Sequence, residues 1–214
     1  MGFRRFKTAG LLSALVAATF AVLLAFSGST RHDGIAASPQ TVAARASIED
    51  TAVRSPLKLP LARPRIVVEK AARRLTLYAG DERLRVYRVG LGTSPVGDKV
   101  RSGDRRTPEG EFFVCVKNER SAFYLSLGIS YPDERAAERG LRDGLITRAQ
   151  YRRIMNAARR KRTPPWDTAL GGEIFIHGRG ASSDWTWGCI ALEDEDIKEL
   201  FDAVPVGTPV RIEP

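Results

Sequence analysis

From Arg65 onward the chain is built of short runs of β-branched, aromatic and leucine residues, each bounded by turn formers. Residues 66–68, 75–78 and 84–89 are three such runs, divided by residues 70–73 and 80–82, and this pattern predicts three strands joined by tight turns. The third run alternates: Leu84, Val86 and Arg88 point one way, Arg85, Tyr87 and Val89 the other. Gly90, Gly92, Pro95, Gly97 and Gly103 then mark a long loop, and Thr107-Pro108-Glu109-Gly110 is a turn feeding a strand over residues 111–117. A strand over 123–130 follows and stops at Pro132. Residues 135–142 and 148–162 have helical composition, with Thr147 placed to cap the second helix, only a thin apolar stripe at Ile154 and Ala157-Ala158, and Pro164-Pro165 closing the segment. Such basic helices are expected to lie on the surface of the sheet. A strand over 173–177, a loop, a helix over 194–203 and a last strand over 208–212 complete the chain. The fold class is therefore mainly β, a sandwich or barrel-like sheet with short helical insertions, not a series of parallel βαβ units.

The N-terminus follows a different pattern. Arg4-Arg5-Phe6-Lys7 is a positive flank, and residues 9–26 run for 18 positions without a charge. This is a signal-peptide core or a helix anchoring the chain in the inner membrane, and in both cases the remainder is expected to be exported. Residues 27–64, rich in Ser, Ala, Thr and Pro without a sustained period, read as a flexible linker, which leaves residues 65–214 as one domain. The net charge of +9 fits an anionic partner of any kind, and no nucleic-acid motif accompanies it. Export conflicts with a nucleic-acid partner.

The candidate chemistry is concentrated in one window. The chain has only two histidines and two cysteines, and one of each, His177 and Cys189, stand twelve positions apart, beside Gly178 and Gly188. A nearby imidazolium stabilises a thiolate near neutral pH, so the pair reads as a nucleophile and its base. Zinc would need four ligands, and His177, Cys189 and Asp184 fall short of that, so neither metal nor cofactor is expected. Cys115, in the apolar run 112–116, reads as core filling; an exported chain leaves a Cys115–Cys189 disulfide open.

Taken in order, these motifs resemble the L,D-transpeptidase (YkuD-type) catalytic domain of bacterial cell-wall enzymes. The resemblance runs over residues 65–214: strands ending in Val89-Gly90-Leu91-Gly92, then Thr107-Pro108-Glu109-Gly110-Glu111-Phe112, Ile129-Ser130-Tyr131-Pro132, Ile176-His177-Gly178, Gly188-Cys189-Ile190 and Pro205-Val206-Gly207-Thr208. Two departures stand out. Where the family has Ser-His-Gly-Cys, this chain has Thr186-Trp187-Gly188-Cys189, and where a polar residue commonly follows the cysteine by two, it has Ala191. The resemblance implies that Cys189 attacks a peptidoglycan stem tetrapeptide, expels its terminal D-alanine and passes the acyl group to an amine, with His177 as its base. A backbone carbonyl near Gly178 would orient His177, because no Asp or Asn is placed to do so. Gly188-Cys189 would supply the oxyanion donor. Thr186 would bond within its loop or to substrate, Trp185 and Trp187 would wall the acyl pocket, and Arg179 would meet a stem carboxylate. The same site with water as acceptor gives an L,D-carboxypeptidase or an amidase. Loss of the family's second histidine leaves room for an inactive wall-binding module. The oligomeric state is open.

Overall fold

The computed structural model describes residues 54–214, so the apolar run at 9–26 and most of the linker lie outside the described residues. Eight strands form one mixed sheet in the order β3-β2-β1-β8-β4-β5-β6-β7. The strands are β1 (Pro64–Glu69), β2 (Arg74–Ala79), β3 (Glu82–Arg88), β4 (Gly110–Ser121), β5 (Tyr124–Ile129), β6 (Phe175–His177), β7 (Ile190–Ala191) and β8 (Pro209–Glu213). β4 is the longest because it serves both halves. Residues 110–113 pair with β8, and residues 114–121 pair with β5. A register shift at Val114/Val116 bends it just past that change of partner, and a second, at Asn118/Ser121, lies at its far end. A bulged strand with two partners curls the sheet toward a barrel without closing it, and the barrel-like expectation is met by this single curled sheet.

The inner face carries Ile66, Val68, Leu75, Leu77, Phe112, Val114, Leu127, Ile129, Val210 and Ile212. On β3 the inward set is the one with Tyr87 and Val89, while Val86 is exposed. Arg85 accompanies that set because its guanidinium and the Tyr87 hydroxyl both bond to Glu199. Cys115 departs from expectation. It is a half-buried free thiol outside the apolar core, since Phe112 and Val114 take the inward positions of β4 and Cys115 alternates away from them. Cys189 is free as well, and no disulfide joins the two.

Among the described residues three helices pack on this sheet: α1 (Glu134–Arg142), α2 (Arg148–Arg159) and α3 (Asp194–Ala203). Asp133 caps α1, and Thr147 with Gln150 forms a reciprocal capping box on α2. These basic helices do more than rest on the sheet. Ala136, Ala137 and Ile154 are fully enclosed members of the core, and Leu170 fills the space a side chain at Gly140 would need. Ala157 and Ala158, expected in the stripe, are only half-buried. At the other end, residues 54–63 lie against the domain: Leu57 and Leu61 pack on the core and Arg54 pairs with Asp196. Among the described residues no helix is long and apolar enough to cross a membrane.

Candidate active site

β6 and β7 lie parallel, with Ile176 opposite Ile190 and His177 opposite Ala191. One step back along this register Cys189 stands beside Phe175, two residues before His177 on the same face of β6. A bridge from Gly92 to Thr186 anchors the loop between the two strands, and one from Gly90 to Ala191 anchors β7.

His177 is 3% exposed. Its Nδ1 lies 2.7 Å from the Gly178 carbonyl. A carbonyl only accepts, so Nδ1 carries the proton and Nε2 is left as an acceptor. Phe123 and Trp185 flank the ring, with centroids at 4.7 and 5.5 Å. Burial in these aromatics pushes the imidazole pKa below its ordinary value, and the Gly178 carbonyl opposes this only in part.

The Cys189 sulfur accepts from the Phe175 N–H at 3.4 Å, and its thiol donates to the Glu173 carbonyl at 3.6 Å. His177 is not among the thiol's partners in the described residues. Burial pushes the thiol pKa up; the Phe175 N–H and the Lys99 ammonium pull the other way, and the Glu173 carboxylate adds to the rise. The shifts of both groups favour the neutral thiol and the neutral imidazole over the thiolate–imidazolium pair. Both groups are withdrawn from water, and desolvation penalises each charged form. Alkylation of the resting full-length protein by iodoacetamide is expected to titrate with a midpoint above the ordinary thiol value of about 8.5. A midpoint well below that value would show a thiolate held by imidazolium.

The loop before the nucleophile is held from within. Thr186 is buried; its hydroxyl donates to the Cys189 carbonyl at 2.8 Å and accepts from the Gly188 N–H at 3.2 Å. Of the two roles open to Thr186, this is the one within the loop. Gly188 has φ 121°, and a Cβ there would stand 2.6 Å from the Arg106 carbonyl, so no other residue fits. With the Gly188 N–H engaged, the Cys189 N–H is the backbone donor of this pair without a partner among the described residues. At Gly178 a Cβ would crowd the Asp194 carboxylate at the start of α3 and stand 3.1 Å from the Phe123 carbonyl, so glycine eases the close approach there.

Cys189, His177, Gly178, Gly188, Thr186 and Trp185 thus converge, with the Trp185 indole N–H held by the Gly180 carbonyl. Trp187 and Arg179 face outward. Trp187 is 73% exposed, with the Arg105 guanidinium 5.4 Å from its ring centroid. Arg179 has φ 79°, and its backbone N–H rather than its side chain is engaged, by Asp194. Phe123, which stacks on His177, and Glu173, which takes the thiol hydrogen, were not legible as site residues; each belongs to a run whose sequence marks only a strand. Asp184 carries a structural bond: Arg73 and the Leu91 N–H occupy its carboxylate. No group of three or more metal-ligating side chains stands together among the described residues.

Compared with known proteins, residues 63–212 match the family model of the L,D-transpeptidase catalytic domain. Among solved structures the chain is similar to an L,D-transpeptidase from Mycobacterium smegmatis, at 14% identity over 72% of this chain and 59% of that one, with a TM-score of 0.43. It is similar to the helical cell shape determining protein from Campylobacter jejuni, at 20% identity over 78% and 52%, with a TM-score of 0.49. A third is the L,D-transpeptidase from Xylanimonas cellulosilytica, at 16% identity over 82% and 70%, with a TM-score of 0.43. The chain spans 59% and 52% of the first two structures. Comparison with curated proteins gives no match.

Proposed function

Because this chain belongs to the L,D-transpeptidase catalytic domain family, we propose that it is a cysteine acyltransferase acting on the stem peptides of peptidoglycan. The observation that carries this reading is the β6–β7 pairing, which sets the Cys189 thiol against the strand bearing His177, whose Nε2 is free to take a proton.

The thiol turns from the Glu173 carbonyl toward the carbonyl carbon of the third residue of a stem tetrapeptide. As the S–C bond forms, the thiol proton passes to His177 Nε2 and the carbonyl oxygen becomes an oxyanion opposite the Cys189 N–H. Collapse breaks the C–N bond; Nε2 returns the proton to the departing nitrogen, D-alanine leaves and a thioester remains on Cys189. Protonation of that nitrogen matters as much as the attack, since an amide anion is a poor leaving group. An acceptor amine then attacks the thioester and gives its proton to Nε2. The C–S bond breaks and the sulfur regains that proton. The Gly178 carbonyl holds the imidazole in the tautomer these steps need and stabilises the imidazolium in between. Burial that disfavours the charged form of each group suits this order, because charge develops only in the transition state, where oriented donors favour it most.

Trp185 walls the site beside His177, and Trp187 and Arg179 are the outward groups that a stem peptide would meet. Action at the envelope, with the N-terminal segment as export signal or membrane tether, belongs to the same reading. The test is mass spectrometry of the full-length protein with a disaccharide-tetrapeptide. A cross-linked dimer is the expected product. Tripeptide alone would make water the acceptor and the protein an L,D-carboxypeptidase; no product and no acyl adduct would overturn the reading.

A further inference from the structure

We propose that the β1–β2 turn, through Lys70 and Arg73, positions the nucleophile loop for acylation; this rests on the reading of Cys189 as the nucleophile.

Lys70 follows β1 and is 2% exposed. Its ammonium meets three acceptors: the Gly97 carbonyl at 2.7 Å, the Thr107 carbonyl at 3.1 Å and Glu109 Oε1 at 2.7 Å. A buried ammonium persists only when its protons are satisfied in this way. Arg73, at φ 50°, closes the turn. Its backbone N–H and Nη1 both donate to the Lys70 carbonyl. Its Nε and Nη2 reach Asp184 at 3.0 and 2.6 Å, and Asp184 also accepts the Leu91 N–H at 3.0 Å. One turn therefore grips two segments, 91–93 through Asp184 and 105–107 through the Lys70 ammonium.

The nucleophile loop is seated between those segments. The Thr186 N–H donates to Leu91, the Thr93 N–H donates to Thr186, and the Gly92 N–H donates to the Thr107 hydroxyl. Gly188 abuts the Arg106 carbonyl closely enough to exclude a Cβ. Thr186 then bonds to both Gly188 and Cys189. Movement of either gripped segment reaches the Cys189 N–H through at most two contacts. The thiol itself is held by the Phe175 N–H on β6 and by the Glu173 carbonyl just before that strand, and does not share this path. Releasing the turn should displace the backbone donor before it alters the thiol.

That difference supplies the test. Lys70→Met and Asp184→Asn, each in the full-length chain and assayed below its own melting transition, are compared with wild type in two reactions. Acylation by p-nitrophenyl acetate needs the oxyanion donor; alkylation by iodoacetamide needs only the thiol. Acylation is expected to fall by about tenfold to a hundredfold, the scale of a small misplacement of a reacting group, while alkylation keeps the wild-type rate and pH midpoint. The double variant should be little worse than the more damaged single one, as for groups acting as a unit. Unchanged acylation in both variants overturns the proposal. So does a parallel loss of both reactions, or a wild-type protein acylated no faster than free cysteine. Asp184→Asn preserves side-chain volume and carries the test if Lys70→Met fails to fold. The ester is not a stem peptide, so failure of the substrate reading leaves this result standing.

Discussion

Cys189→Ala should abolish both the acyl adduct and the release of D-alanine, whereas Cys115→Ala leaves both at the wild-type level. The first effect is the larger. Without sulfur no thioester forms, and the residual rate rests on binding and the oxyanion donor alone, a loss of about 10⁴-fold or more in enzymes of this logic. Cys115 is the necessary control because it is the second thiol of the chain, and burial pushes its pKa up too. It stands on β4, whereas Cys189 is held beside β6 by the Phe175 N–H and the Glu173 carbonyl. Intact-mass measurement after exposure to the tetrapeptide checks both: the wild-type and Cys115→Ala chains gain one acyl group, the Cys189→Ala chain none. An adduct on Cys189→Ala would move the nucleophile elsewhere.

His177→Ala should lower kcat by about 10² to 10⁴-fold, the usual contribution of a positioned acid–base group, with little change in KM. The imidazole is enclosed by Phe123 and Trp185, with only its Nε2 left to exchange a proton, so it contributes to proton transfer more than to binding. The wild-type pH profile carries the same signature. The working form of the base is neutral, and burial lowers its pKa, so it stays neutral to lower pH than an ordinary histidine. The acid limb of kcat/KM is therefore expected below about 6.5, the unperturbed imidazole value. An acid limb above that value, or a His177→Ala variant that loses KM and keeps kcat, would show that His177 binds substrate rather than moving protons.

Much of the fold could be read along the chain. Most strand runs and the α3 span were legible because alternation, turn residues and capping are local signals. The β4 run reads four residues short at its C-terminal end, because Asn118, Glu119 and Arg120 lack the apolar signal and are held by the β5 ladder instead. Glu173 reads as the start of β6 but lies at φ 54°, outside the strand, where the chain turns into contact with the Cys189 thiol. The inward face of β3 was undecided between two equally alternating sets until Glu199, more than 110 residues away, took up Arg85 and Tyr87.

The amino-acid sequence by itself determined the family, the mainly β class, and the candidate window in which a scarce histidine and a scarce cysteine each stand beside a glycine. Those properties reside in residue identity and short spacing. Tertiary structure alone decided the rest: the order of the eight strands, the burial of Cys189 and His177 that disfavours their charged forms, the capture of the Gly188 N–H by Thr186, and the grip of Lys70 and Arg73 on the loop. The physical reason is common to all of them. Protonation state depends on how much water surrounds a group, and a hydrogen-bond partner depends on which distant segment arrives beside it. Arg73 meets Asp184 across 111 positions of chain, and only the folded sheet brings them together.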